Sequence, residues 1–368
     1  MYTCLLLIGL PIGILCGRTS PLLYRQLDFE IFDEVHILKT RRIAIPLLIT
    51  VLSLLIASCM NYGFFWGRFD EKDVDERSAY LKDFNSIKPD IASQTPAASS
   101  TYSVLIVTDM HYGSTSEKLD EKGFLDWLDG WYKKYSGRGE NPDDKDLTKL
   151  PRFAINLGDT ADGGHDSEYR EYLEFDKKIK AIAGKYLYGE DDTTLDSNRK
   201  FKIYGILGNH DIYNDGSEGF FKYIFPNYSS YYFTVDADGD GKAFSYYFLD
   251  TANGTLGTSQ LDDFKEKIEA DPRPKIVLTH YPVYAGGTNM FMIIQNTMER
   301  NVLLTYFAEN NVKQVYEGHA HQNYGFDFKK FREDVIASLR FSGRDSKSCA
   351  VFTVNEKTQQ VSTEIIKF

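Results

Sequence analysis

Between residues 104 and 321 the chain repeatedly runs apolar for a few residues and then stops on a side chain able to bind a metal. Residues 104–107 (VLIV) run into Thr108-Asp109, 153–157 (FAINL) into Gly158-Asp159, and 203–207 (IYGIL) into Gly208-Asn209-His210. Residues 276–278 (IVL) lead to Thr279-His280, and Val315-Tyr316 to Gly318-His319-Ala320-His321, while a further run at 244–249 ends at Asp250-Thr251. Short apolar runs bounded by turn residues read as buried strands. Helical periodicity falls between them at 168–185, 259–270 and 298–310. The second of these opens on a capping box of Ser259 with Asp262 and places Leu261, Phe264 and Ile268 on one face. Strand alternating with helix restricts the chain to a layered α/β fold, in which ligands gather beyond the carboxyl ends of the strands.

Composition narrows the partners. The 368 residues suffice for one large or two ordinary domains, and 42% hydrophobic with 26% charged residues is globular usage. A net charge of −11 argues against binding a nucleic-acid duplex through its backbone, which needs a basic footprint. An acidic chain that handles phosphate must neutralise it by other means, and metal ions are the obvious ones. Three of the four cysteines, Cys4, Cys16 and Cys59, lie near the amino terminus. Cys349 alone remains for the globular part, so neither a disulfide framework nor a cysteine-rich zinc site is available there.

The amino terminus is expected to anchor the protein. The apolar segment at 2–16 is interrupted by Gly9, Pro11 and Gly13 and is short for a membrane span. Residues 39–59 (KTRRIAIPLLITVLSLLIASC) have a basic start, an apolar centre and small residues before a cysteine, the layout of an export signal. Their ending, Leu55-Ile56-Ala57-Ser58-Cys59, resembles a bacterial lipobox with Cys59 as the lipidated residue; the alternative is a transmembrane helix over 43–60 behind Arg41 and Arg42. The expected organisation is an upstream segment 1–37 that precedes a true start near Leu38, a signal or membrane anchor at 38–59, a polar tether at 60–100 and a catalytic domain at 101–368. The chain would then reside in the bacterial cell envelope, membrane-anchored, with its domain outside the cytoplasm.

Any single Asp or His at a strand end is ordinarily a turn or capping residue. Here five of the seven histidines, His111, His210, His280, His319 and His321, sit at such ends together with Asp109, Asp159 and Asn209. Carboxylate, imidazole and amide oxygen in this mixture suit Mn, Fe or Zn better than Mg alone. Alternate strand residues share a face, so Asp109 with His111, and His319 with His321, can reach one ion. Two ions about 3.5–4 Å apart need a shared carboxylate, and seven ligands with one bridging aspartate meet that count.

The ordered series Asp109-Met110-His111, Gly158-Asp159, Gly208-Asn209-His210-Asp211, His280 and Gly318-His319-Ala320-His321 resembles the calcineurin-like metallophosphoesterase superfamily. Leu249-Asp250-Thr251, Gln260-Leu261 and Thr279-His280-Tyr281-Pro282 agree with it, and the resemblance covers about 101–368. It implies a four-layer αββα sandwich with the dimetal site at the carboxyl ends of the strands. It also implies one ion held by Asp109, His111, Asp159 and His321, and a second by Asp159, Asn209, His280 and His319. In this resemblance His210 faces the leaving group as proton donor or charge stabiliser, and Asp162 is the carboxylate that pairs with it. The implied activity is hydrolysis of a small phosphodiester or phosphomonoester by a metal-bridging hydroxide. A nucleotidase-type monoesterase, and a non-catalytic binding protein on the same scaffold, are the alternatives.

Departures from known branches narrow the choice. The stretch GDTADGG carries Gly163 where protein Ser/Thr phosphatases have an arginine, and GNHD replaces their GNHE. Asp162 stands where purple acid phosphatases place a ligating tyrosine, which argues against an iron–tyrosinate site. DNA-repair nucleases share GNHD and GHxH, but the acidic balance and the apparent export signal point elsewhere. Three further features invite alternative readings. Asp236-x-Asp238-x-Asp240-Gly241 imitates a calcium loop but lacks a Glu at its twelfth position, so a hairpin turn is expected. Tyr112, Tyr213 and Tyr281 either line the pocket or pack. The insert at 113–150 is either a lid or a surface excursion.

Overall fold

Successive residues of β2 (Thr101–Val107) face two different cores. Tyr102, Val104 and Ile106 belong to one cluster, Leu105 and Val107 to another, and all five are fully buried. A strand apolar on both faces must be sandwiched, which is what the continuous apolar run required. The computed structural model describes residues 66–94, 98–115, 119–188, 201–224, 228–284, 286, 292–340 and 347–368, all within the compact unit Gly63–Phe368. The apolar segments expected to anchor the chain, and the boundaries at 37 and 59, lie outside these residues. Among the described residues no helix is long and apolar enough to cross a membrane.

Two mixed sheets stack face to face. The smaller has the order β12-β11-β2-β3-β4, with β3 (Pro151–Asn156) and β4 (Ile203–Gly205) parallel to β2, and β11 (Ser348–Asn355) and β12 (Gln360–Lys367) added as an antiparallel hairpin. The larger has the order β1-β5-β6-β7-β8-β10-β9. Its members are β1 (Lys82–Asp83), β5 (Tyr231–Val235), β6 (Phe244–Phe248), β7 (Lys275–Leu278), β8 (Val312–Glu317), β9 (Tyr324–Asp327) and β10 (Arg332–Val335). Between the sheets lies an aromatic core in which Phe153 meets Tyr246 edge-on at 5.5 Å, and the buried hydroxyls of Tyr102 and Tyr246 pair at 2.8 Å. Pairing those hydroxyls removes the cost of burying each alone.

Helices cover both outer faces. Tyr172, Phe175, Ile179 and Ala183 of α3 (Asp166–Leu187) pack with Phe124 and Leu128 of α2 (Glu121–Lys133) onto the smaller sheet. Phe264 and Ile268 of α5 (Thr258–Ala270) and Leu303 and Phe307 of α6 (Thr297–Glu309) pack onto the larger. The result is the four-layer αββα sandwich. The insert at 113–150 supplies α2, so its described part is a structural layer of the sandwich rather than a lid. Residues 236–243 form the hairpin turn joining β5 to β6, closed by Asp236 and Asp238 accepting from the backbone N–H groups of Gly241 and Asp240. The capping box expected of Ser259 and Asp262 does not form. Helix α5 starts one residue earlier, at Thr258, and Ser259 N donates instead to Asp75 Oδ1 at 2.9 Å.

The polar tether expected over 60–100 needs correction. Residues 66–78 form α1 (Trp66–Ser78), β1 pairs with β5, and Val74, Leu81, Phe84 and Ile91 are buried. The acidic run at 70–76 concealed a docked helix whose polar residues bind the domain. Arg77 donates through Nε and Nη2 to both oxygens of the fully buried Asp250, at 2.7 and 3.0 Å. Ser78 and Ser229 complete the shell around Asp250 Oδ2.

Arg77→Ala therefore leaves a buried carboxylate uncompensated, and we expect a loss of about 3–5 kcal/mol in chemical denaturation. Burial pushes the Asp250 carboxyl up, but Arg77 and the two serines bring it below its ordinary 3.8. A folded-state pKa below the unfolded value gives stability that is present above pH 3.8 and lost as pH falls through the lower value. That acid-side loss should shrink in Arg77→Ala, whereas a loose tether would make the substitution silent.

Candidate metal centre

The turns that end β2, β3 and β8 hold side-chain residues in the left-handed region that normally favours glycine. Asp109, His111, Asp159, His319 and His321 have φ of 51, 46, 50, 64 and 51°. Each such residue costs roughly 1–2 kcal/mol, and the strain persists only where the surroundings fix it. Here the parallel pairing continues past the strands. Asp109 N donates to Gly158 O at 3.0 Å, His111 N to Asp159 O at 2.9 Å and Gly318 N to His280 O at 3.0 Å. Gly158 and Gly208 make the closest approach. A Cβ on Gly158 would lie 2.6 Å from Gly208 N, and one on Gly208 would lie 2.2 Å from Asp159 Oδ1.

These turns aim the side chains at one another. Asp109, His111, Asp159 and His321 bring one ligand atom each within 4.8 Å of the others, and so do Asp159, His280 and His319. His111 Nε2 and His321 Nε2 face each other at 3.2 Å, and His321 Nε2 is 3.1 Å from Asp109 Oδ1. His280 Nε2 lies 3.3 Å from Asp159 Oδ2 and 3.2 Å from Asn209 Oδ1. Its other nitrogen, Nδ1, donates to Leu157 O at 2.7 Å and so fixes the ring. All seven residues expected as ligands thus converge, and Asp159 belongs to both groups.

Electrostatics follow from enclosing this set. Burial alone would raise the Asp109 carboxyl, but His321 and His280 bring it down to about 2. Asp159 is lowered further, against its burial, by His280, His111 and His210. Burial pulls His280 down, but Asp159 and Asp109 outweigh it and raise that imidazole to about 9. His319 is held at about 3 by burial and the neighbouring His280. Two enclosed carboxylates, four imidazoles and an amide oxygen that share Asp159 form a donor set suited to a pair of divalent first-row ions.

His210 lies at the edge of this set, its ring 4.5 Å from that of His111. The expected pairing with Asp162 runs mainly through the main chain. His210 Nδ1 is 2.7 Å from Asp162 O and 3.8 Å from Asp162 Oδ1, and that carboxylate oxygen is nearer His111 Nδ1, at 3.3 Å. His165 is the N-cap residue of α3, with its N–H on Glu168 Oε2. Tyr112 is buried and bonds Glu121, Tyr281 stacks on His319 at 3.9 Å, and Tyr213 stays 47% exposed.

Three contributors escaped the sequence reading. Asp211, fully buried, accepts from the N–H groups of Thr160, Ala161 and Gly208 and so ties the β3 turn to the β4 turn. Thr251 Oγ1 accepts from His280 N and Tyr281 N, which gives the Leu249-Asp250-Thr251 motif its task. Arg340, buried, donates to His111 O at 3.1 Å and lies 4.0 Å from Asp162. Only the first two sit inside recognisable motifs; nothing near Arg340 in sequence signals its place.

Residues 102–323 match the family described as calcineurin-like phosphoesterase. No curated protein matches the chain in sequence. Among solved structures, a dimetal phosphatase from Danio rerio is similar at 11% identity and a TM-score of 0.46, covering 68% of this chain and 92% of that one. GAP50, the anchor in the inner membrane complex of Plasmodium, is similar at 14% identity and 0.47, covering 73% and 84%. Phosphopantetheinyl hydrolase from Mycobacterium tuberculosis is similar at 11% identity and 0.39, covering 66% and 91%. The family assignment rests on the match over 102–323 and not on these distant likenesses.

Gly208→Ala tests how much the site depends on close backbone approach. The added methyl would displace Asp159 from both groups. We expect a loss of metal affinity of roughly ten- to a hundredfold by calorimetry, with far-ultraviolet circular dichroism unchanged. A variant that binds metal normally would show that the approach is not needed.

Proposed function

This chain belongs to the calcineurin-like phosphoesterase family, a metallophosphoesterase-type hydrolase, and we propose that it cleaves small phosphoesters at the paired side-chain clusters. In this reading Asp109, His111, Asp159 and His321 hold one divalent ion, and Asp159, Asn209, His280 and His319 hold the second. The observation that carries it is the membership of one carboxylate, Asp159, in both groups. Manganese, iron or zinc are the ions the donor set favours. When bound, such ions supply Lewis acidity toward phosphoryl oxygens and acidify water near neutral pH.

The chain's own groups do the rest. Asp159 keeps the two clusters at a fixed separation because His210 N donates to its Oδ1 at 2.8 Å while His280 faces its Oδ2. His280 is oriented by Leu157 O and Thr251, so its Nε2 points at the shared carboxylate. His210, with Nδ1 engaged by the Asp162 carbonyl, keeps Nε2 for the substrate. We assign it the proton given to the leaving oxygen, a contribution typically worth about 10²–10⁴-fold. Asp162 orients the two imidazoles of His111 and His210 rather than one.

The same reading keeps the protein in the bacterial cell envelope, attached through Cys59 or an apolar helix at 43–60, with its domain outside the cytoplasm. Labelling of the full chain with a radioactive fatty acid, lost in Cys59→Ser, would establish the lipid anchor. Absence of label in the wild type would favour the helix.

The activity test uses the full chain loaded with manganese and compares bis-p-nitrophenyl phosphate with p-nitrophenyl phosphate. Hydrolysis should disappear in Asp159→Asn together with metal binding. In His210→Ala both metals should remain while turnover falls by two to four orders of magnitude. Preference between the esters then assigns a diesterase or a monoesterase. Loss of metal from His210→Ala would overturn its assignment, and no hydrolysis of either ester by the loaded wild type would count against the catalytic reading as a whole.

A further inference from the structure

We propose that Tyr213 is the platform on which the leaving group rests, and that the substrates are phosphoesters whose leaving alcohol or phenol carries a neutral planar ring. The inference rests on the reading above, in which His210 faces the leaving group. Tyr213 is 47% exposed, and its ring centroid is 4.9 Å from that of His210, with the planes inclined by 53°. Its hydroxyl is 3.5 Å from Asn209 Nδ2. A tyrosine kept for packing looks like Tyr112, 7% exposed with its hydroxyl bonded to Glu121. Tyr213 instead leaves half its surface uncovered directly beside the imidazole.

The backbone is built to hold it there. Tyr213 is followed by two left-handed side-chain residues, Asn214 (φ 51°) and Asp215 (φ 60°), each costing roughly 1–2 kcal/mol. The strained turn is gripped from the other side by the glycines of GDTADGG. Tyr213 O sits where a Cβ on Gly164 would be, 2.1 Å away, and Asn214 Nδ2 donates to Gly163 O at 2.9 Å. Gly163 and Gly164 therefore hold the backbone that carries the Tyr213 ring.

Charge selects the ring. The exposed charges that follow Tyr213 are Asp215 and Glu218, and the next cation, Lys222, is paired with Asp166 at 3.2 Å, so a leaving group with its own negative charge is disfavoured. A flat, half-exposed phenol ring attracts another flat ring by stacking, which is worth roughly three- to tenfold in affinity. An aryl or nucleobase-bearing leaving group satisfies both conditions.

Non-hydrolysable phosphonates measure this without chemistry. Benzylphosphonate and ethylphosphonate would be titrated calorimetrically into the manganese-loaded full chain, wild type, Tyr213→Phe, Tyr213→Leu and Tyr213→Ala. We expect the wild type and Tyr213→Phe to prefer benzylphosphonate by roughly three- to tenfold over the preference in Tyr213→Ala, with Tyr213→Leu between. Manganese stoichiometry, read in the same experiment, reports whether each variant is folded at the site. An unchanged ratio in Tyr213→Ala, or in Tyr213→Leu should the alanine variant fail to fold, overturns the platform. If the wild type hydrolyses bis-p-nitrophenyl phosphate, that result sinks the platform alone. If the wild type neither binds a phosphonate nor hydrolyses the ester, the phosphoesterase reading fails and the platform with it.

Discussion

A carboxylate that water does not reach sets the terms for the whole molecule. Asp159 is 1% exposed, and a buried carboxylate without partners would simply take up a proton. Asp159 stays charged because imidazoles from three different turns face it and the His210 N–H bonds it. Those turns sit close enough only because Gly158 and Gly208 lie back to back. The turns that end β2 and β8, one in each sheet, carry strain in the left-handed Asp109, His111, His319 and His321 so that the facing groups converge. Fold and site are thus not separable: the parallel strands exist at this spacing, and the charge they enclose is tolerated because they do.

The supports extend well beyond the ligands. Arg77 of α1 binds Asp250, Gln260 of α5 binds the backbone of Asp250, and Thr251 binds the N–H groups of His280 and Tyr281. A helix outside the expected domain therefore reaches a candidate ligand through three side chains. On the opposite side Asp211 plays the matching part for Asp159 and Asn209, joining the β3 and β4 turns through three backbone donors. Burial and the nearby Asp159 hold the Asp211 carboxyl up at about 7, and the three N–H groups act against both.

Strand ends were legible because buried parallel strands leave continuous apolar runs, and polar residues terminating them stand out. That is why the layers and the convergence of Asp109, Asp159, His280 and His321 could be read from one sequence. What was not legible has a common cause: it depends on contacts between distant segments. Helix α1 looked like a tether because its acidic surface dominates the composition, while the few residues that dock it, Val74 and Arg77, carry no local signal. The capping box at Ser259 was a correct pattern displaced by Asp75, which is 184 residues away in the chain. Arg340 is invisible for the same reason. The exposure of Tyr213 against the burial of Tyr112 is set by tertiary packing, so neighbouring motif residues gave no means of telling them apart.

The order of strands in the smaller sheet has a consequence for how the protein is made. Strand β2 carries Asp109 and His111 at its end, yet one of its two neighbours is β11, paired from Thr101↔Asn355 to Ile106↔Ala350. On the ribosome β2 must wait with one edge open while the intervening chain is synthesised, and an open apolar edge invites pairing with the wrong strand. Pairing between partners so far apart in sequence is also intrinsically slow. The strand that leads to Asp109 and His111 thus gains its second neighbour only when β11 pairs with it, so metal captured during synthesis would meet an incomplete set of supports.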